Sequence, residues 1–223
     1  MEKQKINYHQ LMLKELNEIK KKGIRPKLLL HTCCGPCSPY VFGVLGEFFD
    51  LTVYFFNPNI HPESEYDKRL SEQIRLVKEM GLGYEVVTDD YNPKPFYEQI
   101  KGQEQLGEGS ERCTSCFGLR LEQTAMKAKE AGFDYFSTSL TVSPRKPSQL
   151  LNELGIALEE KVGVKFLRSD FKKNNGYAKS VELTKKYKLY RQCYCGCLFT
   201  QVESEERAKS KMADEKPLGE IQN

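Results

Sequence analysis

The chain has 223 residues, 39% hydrophobic and 29% charged, which suits one large α/β domain with a buried core. No apolar run approaches the ~20 residues that span a bilayer, and the charged first 22 residues lack the apolar centre of a signal peptide; a cytoplasmic protein with no membrane partner is the expectation. The net charge of +3 is compatible with a tRNA-sized anion as substrate without arguing for one, so any basic patch must be local.

Residues 6–22 carry apolar side chains at Ile6, Leu11, Leu13, Leu16 and Ile19, an amphipathic pattern closed by three lysines and Gly23, a C-cap glycine. A first strand is expected over 26–31, followed by a turn and a helix over 38–49. A second strand over 51–56 ends in a stiff loop with two prolines, and a strong helix follows over 63–80. Residues 84–88 read as a third strand and 94–101 as a short helix. A polar, glycine-containing loop over 102–109 leads into a helix from Glu111 to about Ala131. Residues 133–140 read as the fourth strand, with Ser148 a plausible N-cap for a helix reaching Glu160. The fifth strand is expected over 164–167, and helices over 179–187 and 198–212. Strands alternating with helices argue for a doubly wound, Rossmann-like, mostly parallel five-stranded sheet with helices on both faces. Within that single fold, residues 1–25 are expected to be an N-terminal helix packed on the domain, 26–212 the domain itself, and 213–223 a frayed tail.

The chain is organised around residues 28–40. Its strand-like run Leu28-Leu29-Leu30-His31 stops abruptly at Thr32-Cys33-Cys34-Gly35-Pro36-Cys37. In an open α/β sheet that turn lies at the ligand-binding edge, where many nucleotide binders place a glycine-rich phosphate loop. Here thiols occupy it. Eight cysteines in a reducing compartment point to metal or catalysis rather than structural disulfides. They fall in three groups: Cys33, Cys34 and Cys37; Cys113 and Cys116; Cys193, Cys195 and Cys197. Structural zinc usually takes paired Cys-x-x-Cys knuckles on small ribbons, whereas an iron–sulfur cluster accepts more scattered thiolates. A cluster therefore ranks above zinc, and zinc above eight free thiols; Cys193 fits a motif least. Cys195-Gly196-Cys197 folds tightly enough for a strained, easily reduced disulfide, or both thiols serve as metal ligands.

Several segments together resemble the QueH-type epoxyqueuosine reductases. They are His31-Thr32-Cys33-Cys34-Gly35-Pro36-Cys37, Asn57-Pro58-Asn59-Ile60, Glu65 to Arg69, Glu111 to Cys116 with Arg120-Leu121, Thr138 to Pro144, and Tyr190-Arg191-Gln192 with Tyr194-Cys195-Gly196-Cys197. The resemblance runs from about Lys27 to Thr200. It implies reduction of epoxyqueuosine to queuosine at the wobble position of tRNAs with a GUN anticodon (those for Asp, Asn, His and Tyr), with an external electron donor. It implies a [4Fe-4S] cluster held by Cys33, Cys34, Cys113 and Cys116, a redox-active pair Cys195 and Cys197, and an additional iron ion nearby. Cys37 is a ligand of that iron or of nothing, and its aspartate is Asp170, favoured over Asp90.

Removing an epoxide oxygen takes two electrons and two protons. A dithiol supplies the electrons as a pair, and an open iron position would act on the oxygen as a Lewis acid. Tyr66 and Tyr194 are candidate proton donors. Tyr190, Arg191 and Tyr194 are expected at the substrate, with Tyr190, Tyr194 and Phe117 able to stack on an unpaired base. Arg145-Lys146, Arg168 and Lys172-Lys173 are candidate phosphate contacts. His31 is either a partner tuning the metal or a satisfied buried histidine. Two rivals remain. One is an ATP-dependent tRNA thiolation-type enzyme of related fold, against which Pro36 counts because it removes an amide that a phosphate loop would need. The other is a zinc- or cluster-stabilised RNA-binding module.

Overall fold

The computed structural model describes residues 5–214, with side chains described as far as residue 210. Five short strands make one sheet: β1 (Lys27–His31), β2 (Asp50–Phe55), β3 (Val86–Thr88), β4 (Tyr135–Thr138) and β5 (Lys165–Phe166). Their order is β3-β2-β1-β4-β5, and every adjacent pair is parallel. The chain therefore winds outward from β1 to β3, then crosses to β4 on the other side. Loops leaving β1 and β4 diverge, which opens a crevice at the carboxyl ends of the two central strands.

The helices are α1 (Tyr8–Lys22), α2 (Ser38–Leu45), α3 (Glu63–Glu79), α4 (Lys94–Gln99), α5 (Glu111–Glu130), α6 (Ser148–Val162), α7 (Gly176–Lys186) and α8 (Leu198–Asp214). Strand alternation explains the layers. In β1, Leu28 and Leu30 face a core built with Met12, Leu16 and Ile19 of α1, Phe42 of α2 and Leu76 of α3. Leu29 faces the opposite core, with Leu121 and Ala125 of α5, Leu151 of α6 and Phe166 of β5. A leucine run buried on both faces is what a central parallel strand requires, and each such side chain contributes roughly 1.5–3 kcal/mol by leaving water.

Differences from the sequence reading have local causes. The fourth strand stops at Thr138 because its hydroxyl accepts a bond from the Leu140 amide, turning residues 139–142 into a 3₁₀ helix. The second helix stops at Leu45 rather than near Phe49. There the Arg25 guanidinium takes the carbonyls of Gly46, Glu47 and Phe49, so the chain peels into β2. Ser148 is the first residue of α6 rather than its N-cap, and its hydroxyl donates to Asp170. Residues 213 and 214 continue α8, and the remainder of the expected tail lies outside the described residues.

Candidate metal and active site

The turn after β1 is a single 3₁₀ turn over Gly35–Cys37. Cys34 is extended, and its carbonyl accepts the Ser38 hydroxyl at 3.0 Å. The result brings three sulfurs together: Cys33 and Cys34 Sγ lie 3.6 Å apart, Cys34 and Cys37 Sγ 3.4 Å, and all three within 4.8 Å of one another. Hydrogen bonds from Cys34 and Cys37 hold the Cys33 thiol well below the usual range. The reverse side of that sharing pushes Cys34 up to about 11 and Cys37 well above its ordinary value. One thiolate is easily carried here; a second or third needs a cation to replace its proton.

The second thiol pair opens α5. Ser110 is the cap, Cys113 Sγ accepts the Gly109 amide at 3.3 Å, and Cys116 lies one turn further in. Burial pushes Cys116 up to about 12 and Cys113 upward as well. The third group sits on the loop before α8. The buried Arg69 of α3, paired with Glu65 at 2.7 Å, donates to the Cys195 carbonyl at 2.9 Å and to the Tyr194 carbonyl at 3.4 Å. The Gly196 carbonyl accepts the His61 amide, and the Tyr194 hydroxyl donates to the His61 carbonyl. Gly196 has φ +146, and a Cβ there would press on Ile60, Arg69 and Asn59. Glycine is therefore required between the two cysteines. Cys113, Cys116, Cys195 and Cys197 line one small cavity with Asn59, Arg112 and Thr200.

Beside it opens a cleft of ≈ 370 Å³, walled by the Cys37 turn, the start of α5, residues 142–147, α7 and residues 191–195. Arg191 and Tyr194 line it, as do Phe117, Arg145 and Lys146. Three expected site residues point elsewhere. Tyr190 gives its hydroxyl to Glu65 and lies under the Lys68 ammonium. Asp170 accepts from Ser148 at 2.9 Å and from Lys172 at 3.0 Å, and among the described residues the three-sulfur group includes no carboxylate. Arg168 pairs with Glu159 at 3.3 Å. Of the expected phosphate contacts, Arg145 and Lys146 alone reach the cleft.

His31 is fully buried and satisfied, Nε2 toward the Phe56 carbonyl and Nδ1 toward the Thr138 hydroxyl. The Phe56 carbonyl can only accept, so Nε2 carries the imidazole's hydrogen and Nδ1 accepts from the Thr138 hydroxyl. Burial, with Arg120 adding to it, lowers the pKa to about 3, leaving a neutral core histidine. Sequence reasoning placed Lys146 among the phosphate contacts and gave Arg120 no role of its own. Burial works against the Lys146 ammonium, but Cys33, Cys195 and Cys37 outweigh it and keep it charged. Nothing in loop composition announces a lysine turned inward.

The donor set fits a thiophilic metal. Soft thiolates select iron–sulfur clusters or zinc, and buried polar atoms nearby lack partners, among them Asn59 Oδ1 and Thr32 Oγ1.

A family model described as epoxyqueuosine reductase QueH matches residues 28–203. Curated relatives bear the same description. One from Streptococcus pyogenes serotype M1 is 44% identical over 222 residues, covering 95% of this chain and 87% of the relative. One from Staphylococcus epidermidis is 44% identical over 209 residues, covering 91% and 88%. One from Thermotoga maritima is 37% identical over 183 residues, covering 81% and 93%. Among solved structures, the U34-tRNA thiolase NcsA from Methanococcus maripaludis with its [4Fe-4S] cluster aligns with a TM-score of 0.49 and 15% identity, covering 92% of this chain and 75% of that one; so loose an overlay carries no inference.

Proposed function

The chain belongs to the QueH family of epoxyqueuosine reductases, and from that membership we infer that it is an oxidoreductase reducing epoxyqueuosine in tRNA to queuosine. The observation that carries the reading is the gathering of the cysteines, from three distant stretches of chain, around one cleft and its adjoining cavity.

The reaction's balance sets what the residues must do. Epoxide to alkene takes two electrons and two protons, and the oxygen leaves as water. Cys195 and Cys197 supply both as a dithiol: two S–H bonds are given up, one S–S bond forms, and an external electron donor reopens it. Cys33, Cys34, Cys113 and Cys116 would hold a [4Fe-4S] cluster, with Cys37 the thiol left for a further iron. When bound, iron supplies electrons singly and a Lewis-acidic position for the epoxide oxygen.

The remaining residues bind and orient. The wobble base of a GUN anticodon enters the cleft from a single-stranded loop, with Phe117 and Tyr194 as the faces for stacking. Arg145 and Arg191 are exposed at the cleft and take phosphates. The Lys146 ammonium donates a hydrogen bond to the departing oxygen. The test is turnover of an anticodon stem-loop RNA carrying epoxyqueuosine by anaerobically prepared protein, read by nucleoside mass spectrometry. Queuosine is expected, without ATP. Iron-loaded protein that makes none, or that adds sulfur at the expense of ATP, overturns the reading.

A further inference from the structure

Three arginines are almost wholly buried: Arg69, Arg112 and Arg120, each no more than 2% exposed. Two have carboxylate partners, Glu65 for Arg69 and Glu203 for Arg112. Arg120 has none among the described residues. Its Nε donates to the Cys116 carbonyl at 3.3 Å, its Nη1 makes a long bond of 3.4 Å to Asn57 Oδ1, and its Nη2 has no partner. Asn57 in turn donates to the Thr32 carbonyl at 2.9 Å, immediately before Cys33. The guanidinium thus lies between two thiol-bearing segments, bonded to the Cys116 backbone on α5 and, through Asn57, to the backbone just before Cys33.

An uncompensated buried cation is among the costliest features a fold can carry. Among the described residues no acidic side chain offsets this one, and the groups around it that can carry negative charge are cysteines. We propose that Arg120 is the fixed counter-charge of the iron-bound thiolates, a positioning residue that holds their negative charge in the interior and raises the reduction potential of the bound centre. The groups that act on the guanidinium by charge are Cys116, Cys195, Cys33 and Cys113. A thiolate-bound cluster gains a further negative charge on reduction, so a neighbouring cation favours the reduced form. The inference rests on the metal reading above.

The test uses iron-loaded, anaerobically purified wild type, Arg120→Met and Arg120→Lys. Midpoint potentials come from redox titration, and melting temperatures are taken with and without metal. The two cores on either side of the sheet give the metal-free chain stability of its own. Arg120→Met is expected to lower the midpoint potential and the melting temperature of the loaded protein, while the metal-free protein melts at the wild-type temperature or above. Arg120→Lys keeps the charge and is expected to hold the potential near wild type. An Arg120→Met protein that folds metal-free but retains no iron also supports the proposal. Equal loss of melting temperature in both forms, failure to fold without metal where wild type folds, or an unchanged potential in a loaded variant overturns it. Wild type that takes up no iron overturns the metal reading first, an outcome distinct from any of these.

Discussion

A cysteine must lose its proton to ligate, and the thiols of the first two groups differ in how readily they can. Hydrogen bonding with Cys34 and Cys37 favours the Cys33 thiolate, whereas Cys34, Cys37 and the buried Cys116 are pushed toward the protonated form. Serine at Cys33, Cys34, Cys113 or Cys116 is expected to abolish iron retention. Serine at Cys195 or Cys197 is expected to leave iron content intact and reduce turnover at least ~100-fold, the scale on which losing an essential nucleophile or electron donor acts. Iron assay and nucleoside analysis on the same preparations check both. The division is demanding, because Cys195 and Cys197 share a cavity with Cys113 and Cys116, and iron loss in both sets would reassign the redox pair as ligands. The thiols were legible in the sequence because their chemistry lies in the residue type itself. The role of Arg120 was not, and Lys146 was read only as a phosphate contact. A buried arginine on α5 breaks the apolar periodicity without leaving a signal, and Lys146 comes near the thiols because residues 142–147 form a wall of the cleft.

Whole elements aim these residues. Arg69 ties α3 to the loop bearing Cys195 through carbonyls, so the loop's position depends on the guanidinium fork rather than on charge alone. Arg69→Met strands Glu65, which is only 11% exposed, and is expected to cost about 3–5 kcal/mol in unfolding free energy; Arg69→Lys recovers part of it. Denaturant melts of the two variants check this. Helix α7 walls the cleft with Tyr177, Ser180, Val181 and Thr184, and Ser180 donates to the Pro36 carbonyl at 2.7 Å, fixing the helix to the cysteine turn. A Cβ at Gly176 would overlap the Phe171 carbonyl and the Tyr40 ring. Gly176→Ala is therefore expected to destabilise by roughly 1–3 kcal/mol and to weaken tRNA binding. Gly43→Ala on α2, where a Cβ meets nothing within 4 Å, is expected to stabilise by about 0.5–1 kcal/mol. Helix and strand identities were readable throughout from apolar periodicity and from Gly and Pro breaks. Their ends were not: Leu45 is set by the Arg25 side chain reaching in from before β1, and Thr138 by its own hydroxyl accepting the Leu140 amide, a local choice that an apolar pattern does not register.

Across the molecule, the parallel sheet does the gathering. Cys33 leaves β1, α5 begins after the β3 loop, and the Cys195 loop returns over α3 from beyond β5; only a strand order that reverses beside β1 brings all three to one edge. The cleft's lining includes Arg145, Lys146 and Arg191. The double variant Arg145→Ala with Arg191→Ala is expected to weaken tRNA binding and to reduce the slope of log K against log salt by about 1.4, at ~0.7 per single-strand phosphate contact. Binding isotherms between low and moderate salt measure it, and an unchanged slope removes both residues from the interface. The doubly wound order was foreseeable from alternating strands and helices, but the paired arginines and the orphaned one depend on which loop lies against which, and residue patterns do not carry that. The central claim is that thiolates from separate loops converge to hold iron where a nucleotide binder would hold phosphate. Iron and acid-labile sulfide counts on anaerobically purified protein, with its visible absorbance, test it most directly. A brown protein with about four sulfides and at least as many irons per chain is the expected result. A colourless protein carrying zinc, or no metal at all, contradicts it.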